Sequence, residues 1–163
     1  ARLWDTENPN LYELSLYLDI EGHTIDAVKE YFGIREIAIR QGKLTLNGRP
    51  IFIKGVNRHE EYPDSGKVDP GNMLESDLRM IKYELGCNFV RTSHYPNEKR
   101  FYELTDKMGL LVETEIPFYY DKNTAEKISD TRAIANGKQQ LTEMITNLKN
   151  HPHRLQVSHL QGG

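Results

Sequence analysis

The chain has 163 residues, 37% of them hydrophobic and 28% charged, with a formal net charge of −3. That length holds one ordinary domain or parts of two. The slightly acidic balance and the scattered Lys and Arg exclude the electrostatic footprint of a nucleic-acid or anionic-membrane partner. No apolar run approaches the roughly 20 residues that span a bilayer, and the N-terminus lacks the basic and apolar regions of a signal peptide. A soluble protein is expected, with a cytoplasmic location favoured. The single cysteine, Cys87, rules out an intrachain disulfide and reads as a buried thiol at the approach to a strand.

Residues 1–10 form a turn-rich connector without an initiator methionine. Leu11 to Leu18 then alternates apolar and polar side chains, the period of a half-buried antiparallel strand. Glu21-Gly22-His23 supplies a turn, and a second β-rich run lies between Val28 and Ile39, around Phe32-Gly33-Ile34-Arg35. Two or three strands with one apolar face do not make an independently stable sandwich, so 1–41 reads as the last strands of a larger β domain.

A different style of sequence begins at Gly42 and occupies 42–163. Lys43–Leu46 and Pro50–Ile53 flank Asn47-Gly48, a strong hairpin signal because both central residues tolerate positive φ. Strand and helix then alternate. Met73 to Leu85 carries a helical stripe of Met73, Leu74, Leu78, Ile81 and Leu85, with Gly86 placed to end it. Phe89-Val90 reads as a strand, and Asn97 to Met108 as a helix with Phe101, Leu104 and Met108 inward and Gly109 just past its end. Leu110-Leu111-Val112 opens a third strand that runs out at Glu113-Thr114-Glu115-Ile116-Pro117, and Gln139 to Leu148 supplies a third helix before Asn150-His151-Pro152. Three βα units in a row predict a parallel sheet in an α/β fold. The alternation alone does not separate an open doubly wound sheet from a closed barrel. No Gly-rich phosphate loop follows any strand, which disfavours nucleotide binding, and there are no internal repeats.

Two apolar runs end abruptly in reactive side chains, at Gly55-Val56-Asn57-Arg58-His59-Glu60 and at Phe89-Val90-Arg91-Thr92-Ser93-His94-Tyr95-Pro96. Strands of a parallel sheet are buried on both faces, so chemistry begins only where they emerge. Glu113 and Glu115, two apart on a strand, point to one face. They can approach one another but cannot flank a bound molecule from opposite sides.

The order of Asn8-Pro9-Asn10-Leu11-Tyr12, Phe32-Gly33-Ile34-Arg35, Leu46-Asn47-Gly48-Arg49-Pro50, Asn57-Arg58-His59-Glu60, Arg91-Thr92-Ser93-His94-Tyr95-Pro96 and Asn150-His151-Pro152 resembles glycoside hydrolase family 2, the β-galactosidases and β-glucuronidases, from about Leu3 to Pro152. The resemblance implies the end of an immunoglobulin-like β-sandwich joined to the first half of a TIM barrel. Its first three barrel strands would be Ile51–Asn57, Asn88–Ser93 and Leu110–Glu115. It also implies a β-glycoside as partner, with His59 and His94 contacting the sugar, Arg91 steadying the site's carboxylates, and Glu115 as a supporting carboxylate. Without the resemblance, His59 and His94 read as satisfied histidines at loop starts, and Arg91 reads equally as one side of a structural ion pair. Arg58 reads as structural. Phe118, Tyr119 and Tyr120 are either a stacking platform or ordinary packing.

Members of the family that hold magnesium carry an acidic residue and a histidine just after the third strand, whereas Ile116 to Tyr120 offers none, so neither metal nor cofactor is expected. After Asn-His-Pro the family continues into an aliphatic fourth strand ending in an Asn-Glu pair that supplies the acid/base. This chain instead continues His153-Arg154-Leu155-Gln156-Val157-Ser158-His159, so the fourth strand and both catalytic carboxylates are expected to be missing, and with them glycosidase activity. Two alternatives stand beside that reading. A half-barrel exposes strand edges and predicts a homo-oligomer or a new binding module. Alternatively, His59, His94, Glu113, Glu115, His151, His153 and His159 gather round a metal as a hydrolase.

Overall fold

The computed structural model describes residues 1–118 and 130–157. β1 (Tyr12–Ile20) and β2 (His23–Phe32) form an antiparallel hairpin closed by Glu21 and Gly22 at φ of 51° and 81°. β3 (Ile37–Arg40), β4 (Lys43–Leu46) and β5 (Arg49–Pro50) make a second antiparallel sheet, with Asn47 and Gly48 at φ of 53° and 76° in the second turn. Positive φ at both central positions is what a tight hairpin needs to match the strand twist.

The β1–β2 hairpin is not half-buried, as its alternation predicts. Leu14, Leu16, Leu18 and Ile20 on one strand, and Ile25, Val28 and Tyr31 on the other, are all exposed. Alternation specifies which residues share a face, whereas burial needs a second layer, and none of the described elements covers either face of this ribbon. What holds it is cross-strand contact. Tyr12 stacks on Phe32 with centroids 5.7 Å apart, and Glu13 accepts from Lys29 Nζ and Tyr31 Oη at 2.9 Å each.

The remaining strands are parallel, in the order β6 (Gly55–Arg58), β7 (Phe89–Thr92), β8 (Leu111–Thr114), β9 (Arg154–Val157). The first barrel strand is shorter than expected because the donors ahead of it are already engaged. Ile51 N–H donates to Leu44 O, and Lys54 N–H to the Asn88 side chain at 2.8 Å. The second arm of the Asn47-Gly48 hairpin is paired over Arg49–Pro50, and the Ile51 N–H bond to Leu44 O carries it one rung further. A fourth strand is present, contrary to the sequence expectation. The His153 carbonyl accepts from Val112 N–H at 2.9 Å and seats the following residues beside β8, although their composition departs from the aliphatic family pattern.

The helix predicted over Met73 to Leu85 is α1 (Met73–Arg79) followed by a π-helical turn over Met80–Glu84, closed by Leu85 N–H bonding to Met80 O at 3.0 Å. One extra residue in that turn rotates everything after it. Ile81 therefore stays in the core while Leu85, counted into the apolar stripe, is 60% exposed. α2 (Lys99–Met108) ends at Gly109, whose φ of 71° suits glycine and whose missing Cβ leaves room for the Thr6 carbonyl, which would otherwise lie 2.5 Å away. α3 (Thr131–Leu148) begins well before the expected Gln139, capped by the Asp130 side chain accepting from Arg132 N–H. Gly137 weakens the sequence signal there, although it is buried and a Cβ at that position would meet Phe118 and Ile116 only at ordinary van der Waals distance.

The main core gathers Leu74, Leu78, Ile81, Val90, Phe101, Val112, Met144 and Leu148 between sheet and helices. A second cluster of Trp4, Leu46 and Leu111 ties the N-terminal connector and the β3–β5 sheet to the base of the parallel sheet. No described helix is long and apolar enough to cross a membrane.

Candidate functional site

The strand ends bring together the residues that the sequence singled out. Arg91 lies on β7, His94 two residues past its end, and Glu115 one residue past β8. Arg91 Nη2 donates to Glu115 Oε2 at 2.9 Å, and His94 Nδ1 meets Glu115 Oε1 at 2.8 Å. Glu115 is thus held on both oxygens, with its side chain 8% exposed against 42% for His94. The His59 ring, at the exposed end of β6, stands edge-on to His94 with centroids 5.4 Å apart. The four positions form one constellation in which a buried, doubly bound carboxylate holds the half-exposed His94, and the exposed His59 stands beside that ring.

Arg58 turns away from it. Its guanidinium bonds Asp77 Oδ2 at 3.0 and 3.1 Å and the Tyr62 hydroxyl at 2.7 Å, and so fastens β6 to α1. Glu60 is buried beside His59, and its carboxylate accepts the Glu98 N–H at 3.4 Å. Burial pushes the Glu60 carboxyl above its ordinary range. A raised native value means that the folded chain holds this proton more tightly than the unfolded one. The associated stability is present below the ordinary glutamate pKa of about 4.3 and is lost as pH rises through the native value. Chemical denaturation across that interval is expected to show a decline in the parent chain that Glu60→Gln lacks. A constant difference between the two chains at every pH would contradict the assignment.

His151 and His153 do not join His59 and His94. Val112, at the start of β8, bonds the His153 carbonyl, whereas Glu115 lies beyond the end of that strand, so the two groups occupy opposite ends of the sheet. His151 and His153 instead meet Asp106, which sequence reasoning missed. The signal was available, because Asp106 is a charged residue beside the inward stripe of α2 and is 2% exposed. Burial alone would raise its carboxyl, but the two imidazoles more than offset this and hold it below the ordinary carboxylate range. Burial pushes the His153 imidazole down. Tyr119, Tyr120 and His159, weighed in the sequence as sugar platform or metal ligands, lie outside the described residues.

A cavity of about 640 Å³ opens between α2 and α3, lined by Tyr102, Ile116, Met144 and His151 among others; Arg91, His94 and Glu115 do not line it.

Two family models cover the chain. The model for glycosyl hydrolases family 2 matches residues 1–35, and that for the family's TIM barrel domain matches 37–156. A β-galactosidase from Thermoanaerobacterium thermosulfurigenes is 41% identical over 152 residues, which is 93% of this chain and 20% of that protein. A putative β-glucuronidase from Formosa agariphila is 36% identical over 93% of the chain. Among solved structures, β-glucuronidase 3 of Bacteroides uniformis superposes with a TM-score of 0.83 at 30% identity, covering 94% of this chain and 19% of that one. The β-galacturonidase of Eisenbergiella tayi, solved with galacturonate bound, gives 0.81 at 32% identity, over 94% of this chain and 27% of that one. The chain spans about a fifth of the length of the curated relatives it matches. With the barrel-domain match running from β3 into β9 and the open parallel sheet lying in the same order, the chain belongs to glycosyl hydrolase family 2 and carries a partial TIM barrel behind β-sandwich strands.

Proposed function

We propose that this chain supplies the sugar-holding half of a family 2 β-glycosidase site, of the β-galactosidase and β-glucuronidase kind. The observation that carries the reading is the grip of Arg91 and His94 on the two oxygens of Glu115 at adjacent strand ends. A carboxylate bound in this way is a positioning group and not a free proton donor or nucleophile. It fixes the His94 ring, and His94 with His59 presents nitrogens that bond sugar hydroxyls in either direction. In this reading 1–41 are the closing strands of the sandwich and 42–163 the opening half of the barrel. No cofactor takes part, and no residue here serves as acid/base or nucleophile.

Those two carboxylates supply most of the chemistry, each general acid or base being worth about 10²- to 10⁴-fold. The 163-residue chain is therefore expected to bind β-glycosides without cleaving them. Release of nitrophenol from aryl β-galactosides or β-glucuronides, lost on His94→Ala, would overturn this.

A second reading, self-association, is favoured by the exposed Leu14, Leu16, Leu18, Ile25 and Val28 and by β6 and β9 standing at the two sides of the parallel sheet. Sedimentation at micromolar concentration is expected to show a dimer or larger species. A monodisperse monomer would remove this reading and leave the first intact.

A further inference from the structure

At the end of the sheet opposite Glu115, three nitrogen and oxygen donors converge. Asp106 Oδ2 stands 2.5 Å from His151 Nδ1, Asp106 Oδ1 stands 2.5 Å from His153 Nδ1, and the ligand atoms of all three residues lie within 4.8 Å of one another. We propose that Asp106, His151 and His153 bind a divalent transition-metal ion of the zinc class, which pins the start of β9 to α2.

The donor set selects the ion. Two imidazoles and one carboxylate suit zinc and its neighbours cobalt and nickel, whereas calcium and magnesium demand oxygen ligands. Bonds of about 2.0–2.1 Å to a tetrahedral zinc place adjacent donors roughly 3.3 Å apart, so loading spreads these atoms by less than about 1 Å.

The surroundings hold the donors in place. The His153 ring is fully buried and lies against Tyr102 with centroids 5.2 Å apart at 12°, and the His153 backbone N–H donates to Asp106 Oδ1 at 3.1 Å. Its Nε2 has no hydrogen-bond partner, and the Asp106 carboxylate holds the ring proton on Nδ1, so coordination through Nδ1 displaces that proton to Nε2 or to solvent. Pro152 stiffens the link between the two histidines, and its carbonyl accepts from Arg35 Nε at 3.1 Å. His151 forms part of the wall of the 640 Å³ cavity, so the fourth coordination position opens to water on that side.

The test uses the full chain, stripped with a chelator and dialysed. Calorimetric titration with zinc is expected to show one equivalent bound. Cobalt is expected to develop visible d–d absorption of a nitrogen and oxygen site, and zinc to raise the midpoint of thermal unfolding. His151→Gln, at the cavity wall, and Asp106→Asn are each expected to retain the far-ultraviolet dichroism of the parent and to weaken zinc at least tenfold. The double variant His59→Ala/His94→Ala is expected to bind zinc like the parent. The proposal is overturned if the folded parent takes up neither zinc nor cobalt, if binding survives unchanged in both ligand variants, or if it disappears in the His59/His94 variant.

Discussion

Trp4→Ala is expected to lower the unfolding free energy by about 3–5 kcal/mol, the range for truncating a large aromatic in a well-packed core. Trp4 is fully buried although it sits in a connector near the N-terminus. Its ring fills the cluster with Leu46 and Leu111, its Nε1–H donates to the Asp106 carbonyl at 2.8 Å, and its backbone N–H donates to Ile34 O at 2.8 Å. The Asn47 side-chain amide donates back to the Trp4 carbonyl at 3.0 Å. One residue therefore contacts the β3–β5 sheet, the end of β2 and the last turn of α2. Truncation leaves a void that these three elements cannot close together, because each is fixed by its own hydrogen bonds. Urea denaturation reads the effect as a lower midpoint. A change below about 1 kcal/mol would mean that the connector is not docked in solution. Trp4→Phe, which keeps most of the volume and loses the N–H bond, is expected to cost about 1–2 kcal/mol.

The parallel sheet was legible because its strands are short apolar runs set between helical stripes and turn residues, and those signals are local. The strand exits were legible for the same reason, since a buried strand that turns polar within two residues marks its own exit from the core. The choice of His59, Arg91, His94 and Glu115 among the polar residues there rested on the family resemblance. What stayed hidden depends on contacts between segments far apart in sequence. Leu85 fits the stripe of its helix, and only the π turn ahead of it shows that the register slips. Arg154 to Val157 lacks the aliphatic run expected of a central strand, and its seat beside β8 is set up by the His153 carbonyl and by the bonds of His153 to Asp106 on α2. Leu14 to Ile20 shows the reverse failure. Its alternation is real, but no periodicity says whether a second layer exists to bury it.

Glu115→Leu is expected to destabilise the chain by about 3–5 kcal/mol, because it strands the Arg91 guanidinium in a site that leaves its side chain only 17% exposed. Arg91→Leu is expected to cost less, because the Glu115 carboxylate keeps its contact with His94. Together the two changes are expected to cost much less than their sum, since replacing a whole buried pair by apolar side chains is often close to neutral. A double-mutant cycle by urea denaturation would show this as a coupling energy of at least about 1 kcal/mol. Sugar binding should follow a different pattern. If Glu115 works by orienting His94, the double variant recovers the fold and not the function, and affinity for a β-galactoside or β-glucuronide stays at least tenfold below that of the parent. Recovery of both stability and affinity would reduce Arg91 and Glu115 to a structural pair and leave sugar recognition to the two histidines alone. A coupling near zero would show instead that water screens the pair in solution, and that His94 is held by something other than a buried carboxylate.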